Sequence, residues 1–217
     1  MPVVTRATIR RARPTDAAAL ADLAAETFPL ACPPSTTAEA IASFIAANFT
    51  PARFDAYLAD PSRIIVVAEE DAVAERPADG TAGPRLVGYT MLIAGDPTDA
   101  EVAAAVVVRP TIELSKFYTR KATHGSGSVA GPLMDGTVEA AEATGVSSVW
   151  LGVNQENGRA IRFYEKHGFA KAGTKHFRLG DRDEDDWVLV RPAASGASVA
   201  ASVSAAPTAM AERALRE

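Results

Sequence analysis

IELSKFYTRKATHGSGSV (residues 112–129) decides the fold, together with the helix-length segment after it, SSVWLGV (147–153) and NGRAIRFYEKHGF (157–169). The order is strand, glycine turn, helix, strand, helix, and it builds a pocket for a phosphate-bearing ligand. Gly125 and Gly127 stand at a strand-to-helix junction. There they let backbone N–H groups approach an anion, and the helix N-terminus adds its partial positive charge. Gly-x-Gly by itself is equally the mark of an ordinary glycine turn. The dinucleotide-fold and P-loop readings fit worse, because the turn has no third glycine at GxGxxG spacing and no Gly-Lys-Ser/Thr after it.

The second half of the stretch adds Asn157-x-x-Ala160-x-x-x-Tyr164 and then Gly168-Phe169. This succession resembles the GNAT superfamily of acetyl-CoA-dependent N-acetyltransferases. Within it, GluLeuSerLys-x-Tyr (113–118), TrpLeuGlyVal-x-x-x-Asn (150–157) and the acidic run at 180–186 are similar to the bacterial spermine/spermidine (PaiA-like) branch. The resemblance covers residues 7–192 and implies a single α/β domain, with a mixed, mainly antiparallel sheet flanked by helices and splayed at the Phe117 strand. It implies acetyl transfer from acetyl-CoA to a primary amine by direct attack in a ternary complex. Polyamine is the leading acceptor, and an amino acid or other small-molecule amine the next. A non-catalytic acyl-CoA-binding or regulatory module is the alternative.

An amine attacking a thioester needs a base, a stabilised oxyanion and a proton for the departing thiolate. The resemblance assigns the diphosphate to N–H groups of Gly125, Ser126, Gly127, Ser128 and Val129, with His124 where the family usually has Gln or Arg. Main chain of Phe117, Tyr118 and Thr119 would pair with the amide-bearing pantetheine arm, and an N–H of that strand would face the thioester oxygen. Tyr164 is the expected acid, since an unperturbed tyrosine pKa of about 10 keeps it protonated. Asn157, two turns back on the same helix face, is carried over as a CoA contact. Glu113 is the candidate base, acting through water, against the plainer reading of a solvated or ion-paired glutamate. Three further residues depart from the pattern: Val129 replaces the last Gly/Ala, Lys121 replaces a proline, and Pro132 is expected in the second turn of the helix. Proline there would remove a donor and press on the carbonyl four residues earlier.

Composition bounds these readings. The chain has 217 residues, 47% of them hydrophobic, which suits one domain over residues 7–192 with a sizeable core. Residues 193–217 are rich in Ala and Ser and are expected to form a flexible tail. The single cysteine, Cys32, excludes an internal disulfide and fits a reducing cytoplasm. It reads as a spectator, having no partner motif for nucleophilic work. The three histidines show no metal-ligand spacing, so no metal is expected. No apolar run approaches the roughly 18 residues of a membrane span, and the first residues lack the apolar core of a signal peptide. A net charge of −5 argues against nucleic acid and mildly favours a cationic acceptor. A homodimer is compatible with all of this.

Elsewhere, residues 7–14 read as an edge strand and Leu20, Leu23, Ala24, Thr27 and Phe28 as the inward face of a helix. Thr36 and Glu39 fit a capping box for a second helix carrying Ile41, Phe44, Ile45 and Phe49, and Thr50-Pro51 opens a third. Residues 63–70 and 85–93 form a strand pair, and 95–110 carry no assignment. A last strand pair is expected at 174–179 and 187–191, joined by an acidic turn at 180–186.

Overall fold

The computed structural model describes residues 7–30, 32, 36–70, 85–124, 128–179 and 182–194. Seven strands form one sheet in the order β1-β2-β3-β4-β5-β7-β6. They are β1 (Ala7–Arg11), β2 (Arg63–Glu70), β3 (Arg85–Ala94), β4 (Thr111–Thr119), β5 (Ser148–Asn154), β6 (Ala170–Leu179) and β7 (Arg182–Pro192). Every neighbouring pair is antiparallel except β4 and β5, which run parallel. Among the described residues six α-helices flank it: α1 (Ala17–Thr27), α2 (Ala38–Asn48), α3 (Pro51–Ala59), α4 (Ala100–Ala105), α5 (Ala130–Glu142) and α6 (Gly158–Lys166). The mixed, mainly antiparallel α/β architecture is the one expected.

One face of the sheet carries α5 and α6: Val66, Ile112, Leu114, Val149 and Leu151 pack there with Leu133, Met134 and Ile161. The other face carries α1 and α3, where Leu20, Leu23 and Phe54 meet Ile65, Val67, Tyr89 and Met91. α4 extends this second layer over Trp150 and Val188. Alternation along each strand divides the side chains between the two layers. Gly136 brings α5 close to the sheet, since a Cβ there would meet Ile9 Cγ2 at 2.6 Å.

The sequence reading needs correction at three places and gains an assignment at a fourth, residues 95–110. The cap of α2 is Thr37, whose hydroxyl accepts from the Ala40 N–H at 3.2 Å, and not Thr36. The acidic stretch is mostly strand: Arg182 to Asp186 open β7 and pair with β6, because adding two strands to the sheet satisfies more backbone than a long turn would. Residues 95–110 hold α4, its first turn capped by Asp99, whose carboxylate accepts from the Glu101 and Val102 N–H groups. Pro132 falls in the first turn of α5, not the second. The first helical bond there runs from Leu133 N–H to Val129 O, so the proline removes no intrahelical donor. Gly125, Ser126, Gly127, Gly180, Asp181 and residues 195–217 lie outside the described residues.

Candidate active site

β4 and β5 pair only over Thr111/Ser148, Ile112/Val149 and Glu113/Trp150. Beyond Glu113 the two strands separate, and among the described residues β4 continues with one edge unpaired. The Arg120 N–H donates to Val87 O, so in the alternating antiparallel ladder Tyr118 exchanges bonds with Tyr89 on β3. Phe117 and Thr119 are then the residues whose N–H and C=O groups point away from β3 into the split. His124 Nε2 donates to the Thr119 carbonyl at 3.1 Å. The open edge therefore offers the Phe117 N–H and C=O and the Thr119 N–H, while the main chain of Tyr118 is engaged in the sheet.

A cleft of about 270 Å³ passes through this split. Phe117, Thr119, His124, Asn157, Phe163 and Tyr164 line it, as do Thr27, Leu30 and Tyr118 from the opposite layer. Six of the residues singled out in the sequence thus converge: Phe117, Tyr118, Thr119, His124, Asn157 and Tyr164. Two features of α6 place the last pair. Asn157 is its N-cap, and the side-chain oxygen accepts from the Ala160 N–H at 3.1 Å, leaving the amide NH₂ for a ligand. At the other end Gly168 has φ +85°, and the Gly168 and Phe169 N–H groups close onto the Glu165 and Tyr164 carbonyls. Buried Phe169 then meets the Tyr164 ring edge-on at 5.8 Å, and Phe117 meets it from another side at 6.2 Å. Burial, and secondarily the neighbouring Tyr118 phenol, push the Tyr164 hydroxyl above its ordinary pKa. Tyr118 is itself pushed up to about 12 by burial.

Glu113 does not line the cleft. Ile112 and Leu114 face α5, so Glu113 faces the α1 layer. The register then shifts between Met91/Lys116 and Leu92/Leu114, making Ser115 a bulged residue. The bulge reverses the alternation. Phe117 joins the α5 layer, and Lys116 and Tyr118 join Glu113 on the other face. Burial raises the Glu113 carboxyl above the ordinary range, against the attraction of Lys175 and Lys116. Lys116 was not singled out in the sequence, because only the bulge puts it beside Glu113.

Val129 is 3% exposed and its side chain packs in the α5 core. The Cys32 thiol donates to Phe28 O at 3.4 Å, and burial raises its pKa, which suits a spectator. Among the described residues no group of three or more His, Cys, Asp or Glu side chains is placed to hold a metal, and no helix is long and apolar enough to cross a membrane.

The overall fold is shared with solved N-acetyltransferases. PaiA N-acetyltransferase from Thermoplasma acidophilum, solved in complex with coenzyme A, matches with a TM-score of 0.61 at 17% identity over 86% of this chain and 98% of its own. Arabidopsis thaliana NAA60, solved with a bisubstrate analogue, matches with a TM-score of 0.61 at 16% identity over 86% and 98%. Residues 19–169 match the model of the acetyltransferase (GNAT) family. The chain belongs to that family, whose members are acetyl-CoA-dependent acyltransferases. N-acetyltransferases of Mycobacterium bovis and Mycobacterium tuberculosis, both described as uncharacterized, are 47% identical over 177 residues, 82% of this chain and 97% of theirs. PaiA is thus a distant likeness in fold, and these mycobacterial proteins are much nearer in sequence.

Proposed function

We propose that the chain transfers the acetyl group of acetyl-CoA to a primary amine of a small molecule, by direct attack while both are bound. The observation that carries this is the convergence of the open β4 edge and the Tyr164 hydroxyl in one cleft through the sheet. The residues present fit the cofactor. The unpaired Phe117 and Thr119 groups suit the amides of a pantetheine arm, and the start of α5 suits a diphosphate. The Asn157 amide and His124 flank the same path. Bound acetyl-CoA supplies the acyl group already activated as a thioester.

The rest is work for the protein. The Phe117 N–H, directed into the split, stabilises negative charge on the acyl oxygen. Tyr164 holds a proton for the sulfur, and its raised pKa keeps that proton in place at neutral pH. Glu113, on the opposite face, accepts the proton of the incoming amine through water. Motif wording at 113–118 and 150–157 supports a polyamine acceptor, and an amino acid or other small amine suits the same chemistry. A reducing, cytoplasmic setting fits the lone Cys32. The test is calorimetric titration with acetyl-CoA, then free-thiol release across polyamines and amino acids. Saturable binding with amine-dependent release supports the proposal; absence of acetyl-CoA binding sinks it.

A further inference from the structure

Arg63, Ile93, Glu113 and Trp150 are register partners in one row across β2, β3, β4 and β5, and their side chains share the face turned to α1 and α3. Arg63 therefore lies two strands from Glu113, roughly 10 Å away at backbone level. Lys116 joins them through the Ser115 bulge, its ammonium 5.8 Å from the centre of the Phe49 ring. The charges of Lys175, Lys116 and Arg63 all act on Glu113. One carboxylate is thus set among three cations, beside the split through which the thioester would be met.

Lys116 and Glu113 feel one another but do not close into an ion pair. Among the described residues, no carboxylate oxygen lies within 4.0 Å of the Lys116 nitrogen. Arg63 by contrast is bonded to Asp60 at 2.9 Å and held over the Tyr57 ring. Burial, and more weakly the Arg63 charge, press the Lys116 ammonium toward its neutral form against the attraction of Glu113. A half-buried cation in that state gains from an incoming anion, which replaces lost hydration with a charge-assisted hydrogen bond. A second ammonium at the same place would meet two like charges instead.

We infer that the acceptor is a zwitterionic amine of the α-amino-acid class, its carboxylate received by Lys116 with Arg63 behind it and its amino group presented to Glu113. This rests on the acetyltransferase reading and narrows its acceptor. It also turns away from a polyamine: with Glu113 facing the reacting amine, a further ammonium beside Lys116 would meet the Lys116 and Arg63 charges.

The experiment titrates the full chain, saturated with CoA, with the twenty α-amino acids and with the pairs histidine/histamine, tyrosine/tyramine and lysine/cadaverine, alongside spermidine. We expect at least one amino acid to bind, and to bind at least tenfold more tightly than its decarboxylated amine. Lys116→Met should abolish that discrimination and Lys116→Arg should retain it, which guards against a methionine variant that merely misfolds. Equal affinity for amino acid and amine, binding by none of the twenty, or discrimination that survives in Lys116→Met would each overturn the inference. Titration with acetyl-CoA in the same preparation separates the two levels. Saturable acetyl-CoA binding without amino-acid discrimination removes this inference alone, whereas no acetyl-CoA binding removes the acetyltransferase reading and this with it.

Discussion

Glu113 and Trp150 are the last residues at which β4 and β5 remain paired. Everything functional on β4 follows from that point: one residue further the edge opens, two further Ser115 bulges, and the strand then presents Phe117 to one face and Lys116 with Tyr118 to the other. A half-buried carboxylate at the fork, a tyrosine hydroxyl in the cleft and an unpaired strand edge between them give the substitutions below distinct signatures.

Under the proposed mechanism Tyr164→Phe removes the proton held for the thiolate and leaves the ring packed against Phe117 and Phe169. Turnover should fall by about 10²-fold with acetyl-CoA affinity unchanged, measured by steady-state kinetics beside calorimetry. Because the phenol is held above its usual pKa, it adds no alkaline loss of activity below about pH 10. Unchanged turnover in the variant would remove Tyr164 from the mechanism.

The Glu113 carboxyl is raised above the ordinary carboxylate range by burial, so its basic form is lost earlier than usual as pH falls. The acid limb of kcat/KM should therefore lie above pH 4.5, the ordinary value for the group. Glu113→Gln should remove that limb and lower the rate by about 10²-fold. An identical pH profile in the variant would mean that the limb belongs to another group.

Asp16 is 9% exposed and accepts from Arg10 at 2.7 Å and from the Arg13 N–H at 2.6 Å, while Arg10 also pairs with Glu69. Burial would raise its pKa, but the Arg10 and Arg13 bonds outweigh this and lower it below 3.8. A depressed folded-state pKa means stability that is present above the unfolded value and lost as pH falls through the folded one. Asp16→Asn should cost about 2 kcal/mol at neutral pH by urea unfolding, and the gap should shrink below about pH 4. A gap that stays constant with pH would show that the carboxylate charge is not its source.

Gly168 has φ +85°, and a Cβ there would come within 3.4 Å of Arg191 Nε. Gly168→Ala should lose roughly 1–2 kcal/mol and weaken acetyl-CoA binding by displacing Tyr164 and Phe169. Asn157→Ala should lose about 1 kcal/mol of helix cap and Asn157→Asp should keep it. If both Asn157 variants bind acetyl-CoA normally, the residue serves as a cap alone.

Much of this was legible in the chain itself. The inward face of α1, the strands at 63–70 and 85–93, the Thr50-Pro51 start of α3 and the pairing of Asn157 with Tyr164 on α6 all follow from local patterns: a period of 3.6, a period of 2, a cap and a turn residue. Such signals are carried by neighbours in sequence. Residues 95–110 and the acidic stretch opening β7 were not legible, since α4 is only six residues long and charge density alone reads as loop.

The tertiary structure decided which residues share a face at the split. A single bulged residue on β4 is an offset between two strands, and no pattern within β4 announces it. That offset puts Lys116 beside Glu113 and Phe117 against Tyr164, and long-range pairing with β3 and β5 sets it. The order of the elements was thus written locally in the sequence. The charges that meet an acceptor were decided only when three strands, distant along the chain, took up their register.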